Sequence, residues 1–420
     1  MPLADLAALS RLESEVRSYV RAFPVVFTKA RGSIMVDQQG TEYLDFFSGA
    51  GSLNYGHNDP RLKRALLDAV DDDALVQSLD LATAAQIGFL ETFSRVILEP
   101  RGLRYKVQFP GPSGASAVEA ALKLARLVTG RSNVIAFTHG YHGMGLGALA
   151  ASADARFRSA AGHPLGNVTF APYDGRLGEG VDTTEHLAQL LDDPGSGVDP
   201  PAAVIVETVQ GEGGVNVARG SWLRSLAAVC RARGVLLIVD DIQVGCGRTG
   251  AFFSFEEAGL DPDIVTVSKA LSGYGLPMAI TLLKPELDVW RPGAHNGTFR
   301  GNGLAFVTAT AALEAYWQDE LLAGETRRKG ELMRERLQAI AQRHPGLTVR
   351  GRGMIQGLAG TGRPEDVQRI ARRAFENGLI VETSGAADEV LKLLPALTID
   401  DKLLERGLGI VAASAAETLG

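Results

Sequence analysis

Apolar and polar positions follow two rhythms along this chain. Short, mostly apolar runs rich in Val and Ile recur at residues 133–138, 203–206, 235–239 and 264–267. Bounded by Gly, Pro or charge, such runs read as strands buried on both faces of a parallel sheet. Helix formers and helical spacing fill residues 115–126, 222–233 and 304–317, so an α/β large domain is expected. At the N-terminus Leu6, Leu9, Leu12, Val16, Tyr19 and Val20 recur at helical spacing among charged residues. This predicts one amphipathic helix, ended by Pro24, that packs on the body or on a second subunit. Residues 25–47 alternate as a small β-meander with turns at Arg31-Gly32 and Gln39-Gly40. A Gly-rich loop then leads into a helix, and residues 171–201 read as surface connection with one helix around 185–191. Helices at 325–343 and 364–377 alternate with strands at 347–350 and 379–382, an α+β pattern. The expected division is 1–55, with the N-terminal helix and part of a small domain, 56–310 as the large domain, and 311–420 as the C-terminal small domain.

Composition narrows the function classes. At 420 residues the chain exceeds the ~250–300 at which single cores stop growing. It is 45% hydrophobic and 22% charged, with a net charge of −7, an ordinary globular balance and a poor match for nucleic acid. Two cysteines make no disulfide framework, as expected in a reducing compartment. No apolar run approaches the ~18 residues of a membrane helix, and the first residues lack the pattern of a signal peptide. A cytoplasmic protein with no membrane partner is expected.

The chemistry sits where the strand runs end. The run 235–239 delivers Asp240, Asp241 and Gln243, and the run 264–267 delivers Ser268 and Lys269. Ligands of open α/β sheets bind outside the carboxyl ends of the strands, so both groups should face one crevice. A carboxylate and an amine meeting there suit pyridoxal phosphate, whose aldehyde needs a lysine and whose pyridine nitrogen needs an acid. Each residue alone also reads as a helix cap or a solvated turn. Gly111, Pro112, Ser113 and Gly114 open the helix at 115; such a turn suits a phosphate dianion or is simply a capped helix. The same turn lacks the last glycine of a hydrolase elbow, and no phosphate-binding glycine motif for nucleotides occurs. His139 and His142 stand three apart without the Cys or carboxylate cluster of a metal site, so no metal is expected.

The segment DDIQVGCGRTG, followed at Lys269 by SKALSGYGLP, resembles the signature of class III aminotransferases, fold-type I pyridoxal-phosphate enzymes with a large domain and a smaller α+β domain built from both chain ends. The resemblance implies that Asp240 bonds the pyridine nitrogen, Gln243 contacts the phenolic oxygen and Lys269 carries the aldehyde. It places the phosphate at Ser113, Gly114 and Ala115 and the stacking aromatic at Tyr141, with His142 beside it. ETVQGEGG is similar to the family's E-P-x-Q-G-E-x-G, which puts Glu207 and Glu212 near the cofactor. Glu212 matches the carboxylate that pairs with a basic residue when the α-carboxylate of glutamate is absent. That basic residue is usually an arginine; in VLKLLPALTI it is Lys392, a point charge where a bidentate fork is usual. HNGTFRGN places Thr298 on the phosphate of the neighbouring subunit's cofactor, implying a homodimer or higher homo-oligomer. Ala50 and Asn54 fall at the active-site mouth, as substrate neighbours.

Two further departures bear on the branch of the family. Ser116 stands where many members have an acid, and Met144 where distal-amine enzymes often have a carboxylate-binding arginine. Several stretches, RLESEVRSYVRAFP and PAAVIVETVQGEGGVNVA among them, resemble the branch that forms L-2,4-diaminobutyrate in ectoine-type biosynthesis. That branch moves the amino group of L-glutamate to L-aspartate 4-semialdehyde. The alternatives are ornithine, acetylornithine or 4-aminobutyrate transamination, or a diaminobutyrate-forming paralogue in siderophore or peptide synthesis.

Overall fold

The computed structural model describes residues 4–178, 180–360 and 362–420. At its centre is a seven-stranded sheet in the order Lys106–Gln108, Ile280–Leu283, Ile264–Val267, Leu236–Asp240, Ala203–Val206, Val134–Phe137, Val168–Ala171. The Ile280–Leu283 strand runs antiparallel to both its neighbours, and the other paired strands are parallel. Four strands, Val134–Phe137, Ala203–Val206, Ile264–Val267 and Ile280–Leu283, are buried along their whole length. This explains their mostly apolar runs, because helices cover both faces. The helix Gly114–Thr129 buries Ala117, Val118, Ala120, Ala121, Leu122, Leu124 and Ala125, where each leucine contributes roughly 2 kcal/mol. Ser113 caps its start by accepting from Ser116 N, and Gly130 closes its end at φ 67°.

Besides the two-stranded pair Val209–Gln210 with Asn216–Val217, two four-stranded sheets lie outside this layer. In one, Phe27–Arg31, Ile34–Asp37 and Glu42–Asp45 form an antiparallel meander, and Leu379–Ile380 adds in parallel to Glu42–Asp45. In the other, Leu347–Arg352, Ile355–Gly360, Val390–Leu393 and Glu382–Ser384 are antiparallel throughout. The strand expected over 379–382 is therefore two strands in two sheets, with buried Val381 as the crossing point. The final helix, Asp401–Leu419, carries no motif and was not anticipated by the pattern.

The single N-terminal helix is corrected as well. The chain forms two short helices, Ala7–Leu12 and Tyr19–Ala22, neither with a buried residue. The chain turns extended at Glu13, whose N–H still bonds the Leu9 carbonyl, and the Arg17 guanidinium folds back to donate to the Leu9 and Glu13 carbonyls. Leu12 and Val16 are consequently 78% and 86% exposed.

Arg248 braces the segments that connect these sheets. It is fully buried and donates to the Met354 and Pro395 carbonyls and to Asn54 Oδ1; burial brings its guanidinium down to about 9. Asn54 also donates to the Cys246 carbonyl at 2.9 Å. Asn54 is thus a buried brace and not a substrate neighbour. Among the described residues no helix is long and apolar enough to cross a membrane.

Candidate active site

Parallel pairing sets Asp240 opposite Thr266, so Asp240 and Lys269 leave adjacent strands at the same end. Asp240 Oδ2 lies 2.7 Å from His142 Nδ1, and Oδ1 accepts from Ile242 N and Thr266 Oγ1, both at 3.2 Å. His142 is held from behind, its N–H donating to Ser152 Oγ at 2.9 Å. Asp241 takes the opposite direction: its carboxylate accepts from Ser254 N at 3.1 Å. Burial raises Asp241 to about 7 against those hydrogen bonds. Of the two adjacent aspartates, only Asp240 serves the cavity.

Lys269 has φ +50°, a left-handed conformation that costs a side-chain-bearing residue on the order of 1 kcal/mol. Ser268 steadies it by donating to the Met278 carbonyl at 2.8 Å. The Lys269 amine donates to the Ala50 carbonyl at 2.8 Å. That carbonyl is turned inward because Gly49, Ala50 and Gly51 are all left-handed, which explains the glycines on both sides. Burial pushes the Lys269 amine below its ordinary range, with Lys392 acting the same way and Glu212 opposing.

The facing wall is ionic. Glu212 Oε1 accepts from Gln243 Nε2 at 2.8 Å and from Lys392 Nζ at 2.7 Å. Lys392 also lies 3.1 Å from Glu382 Oε1, and Tyr19 OH donates to Glu382 Oε2 at 3.2 Å. Burial would raise Glu212, but Lys392 and Lys269 outweigh it and bring the carboxyl to about 2. For Glu382 burial prevails over Lys392, and the carboxyl rises to about 7. Burial also governs Glu207, which with Asp240 nearby is pushed well above the carboxylate range. Its Oε2 accepts from Tyr141 N at 2.9 Å, and the Tyr141 ring meets Phe157 edge-on at 5.5 Å.

Gly114, Ala115, Tyr141, His142, Glu207, Glu212, Asp240, Gln243 and Lys269 line one cavity of about 290 Å³. Ser113 stands just outside, its hydroxyl engaged with Ser116, and Ala50 contributes its carbonyl. Lys392 is fully buried behind Glu212. Thr298 is exposed on the turn Thr298–Arg300, where its carbonyl accepts from Gln77; it does not join this chain's own cavity. The sequence reading did not single out Ile242 or Gly143, which also line the cavity, nor Glu382, whose place depends on its register opposite Lys392. Among the described residues no three His, Cys, Asp or Glu side chains are grouped to hold a metal.

Pyridoxal phosphate fits this donor set. The first amides of the Gly114–Thr129 helix have no intrahelical partner, and no acid occupies its first turn, so a dianion is welcome there. Gln243 Oε1 is buried with no hydrogen-bond partner among the described residues, an acceptor that a bound hydroxyl would satisfy. Asp240 lies at the depth of the cavity to meet a pyridine nitrogen, and Lys269 to meet an aldehyde.

The family model for class III aminotransferases matches residues 16–414. The chain is 62% identical over 417 residues to a diaminobutyrate–2-oxoglutarate transaminase of Bordetella parapertussis, covering 99% of this chain and 96% of that protein. It is 56% identical over 417 residues to a Streptomyces coelicolor enzyme of the same name, covering 99% and 98%. Among solved structures, the ornithine aminotransferase of Toxoplasma gondii superposes with a TM-score of 0.85 at 28% identity, over 98% of this chain and 94% of that one. A Bacillus anthracis aminotransferase, 24% identical over 98% of this chain and 97% of that one, shares the fold with a TM-score of 0.88. Since the likeness runs almost from end to end in both sequence and fold, this chain belongs to the class III aminotransferases and is a pyridoxal-phosphate-dependent enzyme.

Proposed function

We propose that the enzyme transfers the amino group of L-glutamate to L-aspartate 4-semialdehyde, giving L-2,4-diaminobutyrate and 2-oxoglutarate. The observation that carries this reading is the 62% identity, over 99% of the chain, to a relative of that name. The cavity supplies a chemical reason for each half of the reaction. When bound, pyridoxal phosphate supplies an aldehyde for amines and a ring that takes up carbanion charge.

Asp240 holds the pyridine nitrogen and is itself oriented by His142 and Thr266. The helix start at Gly114 and Ala115 holds the phosphate, and Thr298 of a second copy completes that cradle in a homodimer. Gln243 faces the phenolic oxygen. Lys269, made less basic by burial, would move a proton from the reacting carbon of the substrate to the cofactor's aldehyde carbon, and in the reverse direction in the second half-reaction. The Glu212–Lys392 pair at 2.7 Å answers the two donors differently. Glutamate brings a carboxylate beside its reacting carbon, which Lys392 accepts as Glu212 withdraws; diaminobutyrate reacts at a terminal CH2, and the pair stays closed. Residues 56–310 carry the cofactor in this reading, with 1–55 and 311–420 forming the smaller unit beside it. The setting is the cytoplasm.

The test is to add L-glutamate, L-2,4-diaminobutyrate, ornithine and 4-aminobutyrate separately to the holoenzyme and follow the cofactor's visible absorbance. Glutamate and diaminobutyrate should each discharge it. Faster reaction with ornithine or 4-aminobutyrate than with diaminobutyrate would overturn the substrate assignment.

A further inference from the structure

Lys392 carries two carboxylates, and they are held differently. Glu382 faces it directly in the antiparallel register of Glu382–Ser384 with Val390–Leu393, its side chain 5% exposed and Lys392 fully buried. The strand pair and the Tyr19 hydroxyl fix Glu382 in place. Glu212, 26% exposed at its side chain, sits instead in a turn between Gly211 and Gly213. One carboxylate is therefore enclosed by the sheet, and the other, tied to Gln243 and Lys392, lies at the open edge of the wall. Burial lifts Glu382 to about 7, so above that pH two carboxylates face one ammonium and this wall is one unit negative. The other amine in the cavity, Lys269, is weakened as a cation by burial.

We propose that Glu382 is a specificity-determining residue, a fixed counter-ion that keeps Lys392 neutralised after Glu212 withdraws and so disfavours the substrate that brings a carboxylate to this wall. The inference rests on the reading that Lys392 receives the α-carboxylate of glutamate. A bare ammonium buried here would cost several kcal/mol, and Glu382 removes that cost from the exchange. It also presents glutamate with an ion pair in place of a naked charge. Diaminobutyrate, which has no carboxylate beside its reacting carbon, escapes the repulsion. Glu382 thus sets the balance between the two half-reactions while Glu212 performs the exchange. Because Glu382 acts through Lys392, it is a positioning residue.

The experiment measures each half-reaction separately in holoenzyme of the wild type, Glu382→Gln and Glu382→Asp. Glutamine keeps the size and removes the charge, so the KM for glutamate should fall about tenfold from the lost repulsion, with kcat within about threefold and the KM for diaminobutyrate not lowered. Aspartate keeps the charge and should retain the wild-type preference for one donor over the other. An equal loss of kcat/KM for both donors, or a higher glutamate KM in Glu382→Gln, would overturn the proposal. If that variant does not fold, Tyr19→Phe decides: loss of the hydroxyl removes a donor that favours the charged carboxylate, and the glutamate KM should fall about threefold. An unchanged glutamate KM there would overturn it instead. Should the wild type prefer another diamine, the substrate assignment falls while the glutamate arm still decides the role of Glu382.

Discussion

Around Asp240 the hydrogen bonds come from the large sheet and the loops that leave it, whereas the groups around Lys392 come from distant parts of the chain. His142, Ile242 and Thr266 hold Asp240 through side-chain and backbone partners at 2.7–3.2 Å. Lys392 is met by Glu212 from a turn and by Glu382 from a small sheet, with Tyr19 of the N-terminal segment behind. The first arrangement has one task in both half-reactions, to keep one ring in one orientation. The second must accept two substrates that differ by a carboxylate. Buried ion pairs add little stability over apolar packing, so the reason to keep one here is that its partners can be exchanged. Fixed hydrogen bonds serve the constant part of the reaction, and exchangeable charges the variable part.

The sharpest way to break this comparison is at its shared member. Lys269→Ala should abolish the cofactor's lysine-linked visible band and lower turnover by about 10³-fold or more. A variant with normal turnover would remove Lys269 from the chemistry. On the fixed side, Asp240→Asn should retain cofactor yet lose on the order of 10² in kcat for both donors alike; a loss confined to one donor would contradict a constant role. On the exchangeable side, Lys392→Ala should strand two carboxylates and cost about 3 kcal/mol in denaturant unfolding. Its kcat/KM for glutamate should drop about 30-fold and that for diaminobutyrate far less, which half-reaction kinetics would reveal. The smallest effect on activity belongs to Asp241→Asn, which should act on stability alone. The folded state raises Asp241 to about 7, above its unfolded value, so folding binds the proton and the wild type loses stability as pH rises from about 4 to 7. The asparagine variant lacks that slope, and melting curves should show it gaining on the wild type by about 4 kcal/mol across the window.

The constant part of the site was readable along the chain because it depends on local rules. Two apolar runs rich in β-branched residues end in Asp240 and Lys269, and parallel neighbours of that kind deliver their ends to one crevice. The cap at Ser113 and the helix behind it follow from turn residues and helix formers. Glu212 and Lys392 were reached only through resemblance to the family. Glu382 was missed because its importance is its register opposite Lys392, and pairing between strands leaves no trace in local spacing. The N-terminal helix failed for a similar reason: its periodicity is sound, but the chain turns extended at Glu13, and the Arg17 side chain closes the turn on the Leu9 and Glu13 carbonyls. Asn54 looked like a loop residue at a mouth, and only its partner Arg248 reveals it as a brace. The paired glycines Gly145 and Gly147 also find their reason in a distant partner. The Glu119 carboxylate accepts from Gly147 N at 2.8 Å, and a Cβ at Gly147 would lie 2.3 Å from it.

The meander at the start of the chain pairs with a strand near its end. The Leu44 amide donates to the Gly378 carbonyl at 2.8 Å, and the Phe46 amide to the Ile380 carbonyl at 2.9 Å. A ribosome adding about 5–20 residues per second therefore leaves the edge of the Glu42–Asp45 strand unpaired for tens of seconds after it emerges. During that time the nascent chain exposes an open template for pairing with other strands, so folding in the cell favours whatever shields this edge until translation reaches the last tenth of the message.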